Sequence, residues 1–445
     1  MMEHLIIEII KYSMIILMAM YTYFSFCIFR FKNKKKQNRL YLQMTFIIFI
    51  IHFIGHYALY LQVENKKLLI LYGGEVIILF SIHLIYQGLY KKLSKLILRN
   101  MMMLLTISFI IQTRLSFDKA LKQVLIVGFA SLLCLIVPYA IEKVTWVRNY
   151  GWIYGVIGII VLLLVLFAGR TSNGATNWLN IFGISVQPSE FVKILFVLSV
   201  AAMYYIETNF TRICAVSVMA AANVLILVVE RDLGGALIFF VTYFIMLYVA
   251  TSKSLYLFAG LSAGSIAAYV AYHLFYHVRV RVMAWQDPFR LIDNEGYQIS
   301  QSLFAIGTGG WLGMGINQGL PTSIPVVDSD FVFSAISEEF GGFFALCIIL
   351  IYINCFVLFI SSALELKDNF YRLVVIGYST MFAFQVFLSI GGVTKFIPST
   401  GVTLPFLSSG GSSVLATILM FMILQGVYRK GKLDSRKEAS NTVVS

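Results

Sequence analysis

Apolar runs of about twenty residues recur from one end of this chain to the other, and that repetition constrains its fold more than any other feature. A run of that length crosses the roughly 30 Å hydrocarbon core of a bilayer as one α-helix, the form that satisfies its own backbone groups. Reading the runs against polar breaks predicts thirteen spans, starting near Leu5, Tyr41, Leu68, Leu96, Leu121, Gly151, Pro188, Arg212, Leu233, Ser254, Asp330, Asn369 and Gly410. Composition agrees, because 59% of the 445 residues are apolar and only 12% charged, against about a quarter charged in a soluble chain. The expected fold class is an all-α polytopic membrane protein with no room for a sizeable soluble domain. The first run, Leu5 to Phe29, reads as a retained anchor, since Glu3 and Glu8 precede its centre and the basic cluster follows it.

Lys and Arg total 34 against 21 Asp and Glu, a net charge of +13. On a membrane protein such an excess sits in cytoplasmic loops facing anionic lipid, so nucleic acid is not an expected partner. With the tail that carries Arg429, Lys430, Lys432, Arg436 and Lys437 inside, alternation also places inside the basic loops around Arg30–Arg39 and Lys91–Lys95. Basic residues are then roughly twice as many inside as outside, which supports thirteen spans with the N-terminus out. The five cysteines, Cys27, Cys134, Cys214, Cys347 and Cys355, all fall in apolar runs and read as packing residues.

The same alternation puts residues 170–187, 277–329 and 391–409 on the outer face, and all three are rich in Gly, Pro, Ser, Asn and charge. The longest mixes Arg279, Arg281, Asp287, Asp293, Glu295 and Asp328 with the Gly-dense run IGTGGWLGMGINQG from Ile306. That run neither follows a strand nor opens a helix, which excludes a dinucleotide fingerprint and leaves a phosphate-binding nest or a flexible loop. Ionisable residues inside spans are functional candidates by default. Glu190 and Lys193, three apart on one helix face, either aim an ammonium at an anion or form a helix-to-helix ion pair. Asp330, opening the eleventh span, is either a base at the membrane surface or a helix N-cap, and position alone favours the cap. Asp232 offers the same pair of readings, and Glu338 and Glu339 add negative charge about two turns beyond Asp330. His52 and His56, like His273 and His277, have the spacing of helical metal ligands, but neither pair has an evident third ligand, so no metal set is assigned. Trp146, Trp152, Trp178 and Trp311 fit an interfacial aromatic belt.

Five segments taken together carry more. QPSEFVKILFVLS from Gln187, DLGGAL from Asp232, YQISQSLFAIGTGGWLGMG from Tyr297, SDFVFSAISEEFG from Ser329 and IPSTGVTLPFLSSGGSS from Ile397 resemble, in order, the motifs of the SEDS family (shape, elongation, division and sporulation), to which RodA and FtsW belong. The resemblance implies a ten-helix SEDS core over residues 96–430, preceded by a three-helix extension at 1–95 and followed by a basic cytoplasmic tail at 431–445. It implies a peptidoglycan glycosyltransferase that polymerises lipid II on the outer face of the bacterial plasma membrane, beside a class B penicillin-binding transpeptidase. By the same resemblance Asp330 matches the family's essential outer-loop Asp. Glu190 and Lys193 match the Glu and Lys of its Pro-Ser-Glu helix, Asp232 the Asp of its Gln-Pro-Asp-Leu-Gly turn, and Trp178 the Trp after its Asn-Gly-Ala segment. Ser408, Ser409, Gly410 and Gly411 fall in its last signature loop. The chain departs from the family at Ile324, Pro325 and Val326, where many members read Leu-Pro-Glu, at Glu230 and Arg231, where they read Gln-Pro, and at Thr176 and Asn177 in place of a basic pair.

The implied chemistry needs a base for the attacking hydroxyl and positive charge for the departing pyrophosphate. Asp330 is the expected base, and Lys193 the expected counter-charge with Arg279 or Arg281. No cofactor is assigned, and a divalent cation stays open, since the loop carboxylates either ligate Mg²⁺ or Mn²⁺ or only hold the loop. The competing readings are a lipid II transporter, disfavoured because charge clusters on the outer half, and an inactive scaffold, which would tolerate loss of Asp330.

Overall fold

A computed structural model of the chain describes residues 2–172, 175–181 and 184–444. Among them thirteen helices are long and apolar enough to cross a membrane, in agreement with the number of apolar runs. The second begins at Lys34 and not near Tyr41, because Asn33 accepts a hydrogen bond from the Lys35 amide and starts the helix inside the basic cluster. The eleventh begins at Gly342 and not at Asp330. Gly341, at φ 86°, interrupts it, and Val332–Phe340 becomes a separate buried helix. The all-α expectation needs one addition, a three-stranded antiparallel sheet of Arg170–Ser172, Ala175–Ile181 and Ile184–Val186 in chain order. Strands this short carry too little alternation to stand out in a polar segment.

The chain forms two compact units. The first comprises Met1–Leu132, Val280–Cys355 and Val386–Gly410, and the second Leu133–Arg279, Phe356–Gln385 and Gly411–Ser445. At the centre of the first lies Lys95–Leu115, the shortest of the predicted spans, whose eighteen-residue apolar window is buried throughout. Its buried Asn100 and Arg99 have partners, as low dielectric demands. Tyr21 donates to Asn100 (3.0 Å), Asn100 donates to Asn354 (2.8 Å), and the Arg99 guanidinium donates to the Tyr41 carbonyl (2.8 Å) and the Thr45 hydroxyl. Helices of the N-terminal extension thus pack in the same unit as the segment carrying Asp330.

The second unit is built round Ser189–Ile206. Gly151 and Gly155 let Gly151–Ala168 lie against it, since a Cβ at Gly155 would collide with Ser199 and Met219. Ser199 donates to the Gly151 carbonyl (2.6 Å), and Tyr378 to the Ile194 carbonyl (3.0 Å).

Candidate active site

Asp330 sits on a tight turn and not on a helix end. The Val326 carbonyl accepts both the Ser329 and Asp330 amides, at 3.2 and 3.1 Å, and Val326 itself has φ 57°, a left-handed conformation that β-branched residues rarely adopt. Asp330 therefore ends two residues before Val332–Phe340, a helix with no side-chain cap, and the N-cap reading is wrong. Its Oδ1 accepts the Ser329 hydroxyl at 2.9 Å. Arg281 stands beside it, donating to the Ser399 carbonyl (3.3 Å) from the helix Tyr276–Gln286. Gly401 completes the group at φ 71°, where a side chain would place its Cβ 3.5 Å from Asp330 Oδ2 and 3.8 Å from the Arg281 guanidinium. Burial pushes the Asp330 carboxyl above its ordinary range, with Asp328 adding to the rise and Ser329 and Arg281 opposing it. The result is a more basic carboxylate next to a fixed cation. Sequence reading had not singled out Gly401, although a glycine in a Ser-Thr-Gly turn is the available signal.

Two other segments hold that turn. The Ser408 hydroxyl donates to the Ser329 carbonyl and the Ser409 hydroxyl to the Asp328 carboxylate. The Ser409 amide donates to the Asp328 carbonyl at 2.7 Å, and the Leu404 amide to Ser408 Oγ at 2.8 Å. From the other side Gln112 donates to the carbonyls of Asp328 and Leu407, both at 3.0 Å, while Lys119 pairs with Asp328 at 2.8 Å. Ser408 and Ser409, expected to touch substrate, thus fix the backbone and neighbour of Asp330. Gly410 ends this segment, and Gly411 opens the last helix, Gly411–Val444.

The Gly-dense run is neither a nest nor a free loop. Met314 and Gly315 donate their amides to the carbonyls of Glu338 and Glu339, both at 2.9 Å, and Gly342 donates to the Gly310 carbonyl. Glu338 accepts the Leu320 amide at 3.0 Å, and Arg114 pairs with Glu339 at 2.7 Å while also donating to the Gly319 carbonyl. Burial pushes the Glu339 carboxyl up to about 7 against the pull of Arg114.

The remaining predicted residues belong to the second unit. Lys193 donates to Glu190 at 2.8 Å within its helix and to Gln385 of Asn369–Val393 at 3.0 Å, so the ion pair lies within one helix and the bond to the neighbouring helix runs through an amide. Asp232 is a helix cap, accepting the Gly235 amide at 2.8 Å. Arg279 donates to the His273 carbonyl at 3.1 Å, at the end of Leu255–Leu274. Of the two arginines, the one two positions on is thus the partner of Asp330. Trp178 lies on the central strand opposite Arg170, half-buried. Sequence reading treated Glu230 only as a departure. Its carboxyl is buried without a hydrogen-bond partner, and burial with the nearby Asp232 pushes it up to about 8.

One expectation about histidines is corrected. Glu75 supplies the third group that the pair His52 and His56 lacked. Among the described residues no third ligand joins His273 and His277.

Apolar spans throughout, with a carboxylate and a guanidinium held together by a serine-rich segment, define a multi-pass membrane protein with a carboxylate–guanidinium pair on a constrained turn. The chain belongs to the FtsW/RodA/SpoVE family, since the model of that family, described as cell cycle protein, matches residues 87–433. It is 34% identical over 312 residues to the peptidoglycan glycosyltransferase RodA of Mycobacterium tuberculosis, covering 66% of this chain and 66% of that one. The chain thus spans just under two thirds of the length of that curated relative. It is 32% identical over 330 residues to stage V sporulation protein E of Bacillus subtilis, covering 71% of this chain and 88% of that one. In fold it resembles a solved chain from work on the structural coordination of polymerization and crosslinking by a peptidoglycan synthase complex, with a TM-score of 0.66 and 24% identity over 76% of this chain and 98% of that one. The first three spans precede the matched family region, apart from the last three residues of the third.

Proposed function

We propose that this protein is a peptidoglycan glycosyltransferase that polymerises lipid II on the outer face of the plasma membrane, in elongation, division or sporulation. The observation that carries the reading is the Asp330 carboxylate, made more basic by burial and standing beside Arg281 with a glycine over one oxygen. Ser329 occupies Oδ1, and Gly401 leaves room for an acceptor hydroxyl at Oδ2. There the C4 hydroxyl of an acceptor GlcNAc gives its proton to Asp330 as its oxygen attacks the anomeric carbon of a donor MurNAc. The bond from that carbon to the lipid pyrophosphate breaks, and Arg281 offsets the charge that develops on the leaving group. Lys193, held by Glu190 and Gln385 in the second unit, is assigned a second counter-charge on the strength of the family resemblance. No step is assigned to Mg²⁺ or Mn²⁺. Asp328 is taken by Lys119 and Ser409, and Asp330 stands beside Arg281, so the reading gives both carboxylates other roles.

The names of the relatives support the activity, and the polymerization and crosslinking described for the similar solved chain supports a class B penicillin-binding protein as partner. The deciding experiment gives purified full-length protein lipid II, with and without such a transpeptidase, and looks for glycan polymer. Parent protein that makes none under either condition would overturn the proposal. Reporters at Lys35 and Asn294 test sidedness, which requires them to report opposite faces.

A further inference from the structure

The three N-terminal helices hold a cluster that polymer synthesis does not use. Within Lys34–Val63 and Lys66–Leu89, His52, His56 and Glu75 are buried together, their ligand atoms all within 4.8 Å of one another. Both Nε2 atoms lie 2.8 Å from the same oxygen, Glu75 Oε2.

The hydrogen bonds fix what one of those nitrogens can be. His56 Nδ1 is 3.0 Å from the His52 carbonyl, which can only accept, so Nδ1 carries the ring proton of the neutral imidazole. In that neutral ring His56 Nε2 presents a lone pair to a carboxylate oxygen 2.8 Å away, a contact without hydrogen-bond geometry. Two lone pairs at that distance repel unless a positive centre lies between them. A ring that donates from Nδ1 to a backbone carbonyl while offering Nε2 is also the arrangement by which proteins orient metal-binding histidines. The carboxylate is oriented in turn, since Thr113 donates to Glu75 Oε1 at 3.4 Å, and Tyr72 stacks on His52 with ring centroids 5.0 Å apart. His52 Nδ1 has no partner, which makes His52 the less firmly held of the two rings.

We propose that His52, His56 and Glu75 form a binding site for a divalent transition-metal ion, Zn²⁺ foremost. Two imidazoles and one carboxylate suit that class and not Mg²⁺ or Ca²⁺, which take oxygen ligands. Round a tetrahedral ion the ligand atoms stand about 3.3 Å apart, given metal–ligand distances of about 2.0–2.1 Å, so each histidine nitrogen, now 2.8 Å from Glu75 Oε2, needs to move away from it by only about half an ångström. A cavity of about 60 Å³ opens beside His56, lined mainly by the apolar surface of Phe53, Tyr57, Tyr60, Leu68, Leu69 and Tyr72. It has room for a water as fourth ligand. An ion there would bind the second and third helices to each other and, through Thr113, to Lys95–Leu115. The site is independent of the proposed polymerase activity, and these residues lie outside the family region at 87–433 apart from Thr113.

The test uses full-length protein in detergent, purified on a tag without histidines, stripped with chelator and titrated with Zn²⁺ alone, then with Co²⁺ for its visible spectrum. About one Zn²⁺ per chain, a rise in Tm on loading and the d–d bands of tetrahedral Co²⁺ are expected. His56→Gln and Glu75→Gln should each weaken Zn²⁺ binding by more than the roughly 10–100-fold that loss of an outer partner costs. His56→Cys should keep it, and His273→Gln should leave it unchanged. Parent protein that takes up no metal and gains no stability would overturn the proposal and leave a protonated His56 as the cation facing Glu75. Retention of metal by both Gln variants would equally overturn it. If those variants fail to fold, the parent titration and the Co²⁺ spectrum decide alone.

Discussion

Asp330 and Asp232 look alike in sequence, each a carboxylate between a polar segment and an apolar run, but the structure uses them in opposite ways. Asp232 accepts the Gly235 amide and ends its polar segment as a helix cap. Asp330 caps nothing, accepts a hydroxyl from Ser329 and faces Arg281 and Gly401. The surroundings explain the difference. The turn before Asp330 is held by Ser408, Ser409 and Gln112, so its carboxylate is not needed to stop a helix fraying. At the 230–232 turn the Thr176 amide donates to the Glu230 carbonyl at 2.9 Å, and Asp232 itself supplies the cap. A carboxylate released from a structural duty, and made more basic by burial, is the one available for chemistry.

Substitution of both aspartates by asparagine breaks this contrast most directly, because asparagine keeps the shape and capping ability of aspartate without its charge. Asp330→Asn is expected to lower polymer formation from lipid II by about two or more orders of magnitude, the scale of a lost general base, with Tm unchanged. Asp232→Asn should polymerise at near the parent rate. Equal losses in the two variants would erase the distinction. Arg281→Gln comes next, with a loss of roughly ten- to a hundredfold from the leaving-group charge. Since Arg281 opposes the rise of the Asp330 carboxyl, its removal should also move the acid limb of the pH–rate profile upward. An unshifted limb would separate Arg281 from Asp330.

The remaining effects fall on stability. Glu230 holds its proton up to about pH 8 in the fold and releases it in the ordinary carboxylate range when unfolded. The parent should therefore lose stability as pH rises through that window and level off above it. Glu230→Gln removes the loss, so its Tm should match the parent near pH 5 and exceed it at pH 9, the stability difference reaching about 2–4 kcal/mol at full ionisation. A pH-independent difference would mean that the carboxyl is not the cause. The smallest expected change is in Asp232→Ala, about 1 kcal/mol from a lost cap, measured by thermal unfolding with polymer formation retained.

Much of the fold was legible because bilayer thickness imposes one length on every span, and apolar runs record it directly. The break at Gly341 was not, because a glycine between two apolar helices leaves hydropathy unchanged and only the path of the chain reveals the turn. Lys95–Leu115 shows a similar limit. Its apolar run is broken by Arg99, Asn100 and Thr113, yet all three are buried with partners on other helices. The motifs marked Asp330 and Ser408, and the charge of the outer loop marked Arg281 beside Arg279, but not that serines would serve the turn and an arginine the carboxylate.

By itself the sequence determined the membrane-spanning class, the family and the residues eligible for chemistry, because these depend on apolar length and on motif order along the chain. Tertiary structure alone decided which aspartate is a cap, which arginine accompanies Asp330, and that Glu75 meets His52 and His56. Those outcomes depend on side chains of distant segments brought within hydrogen-bonding range, where burial shifts a carboxyl and an acceptor fixes a ring proton. Such distances are set by packing and leave no period in the sequence.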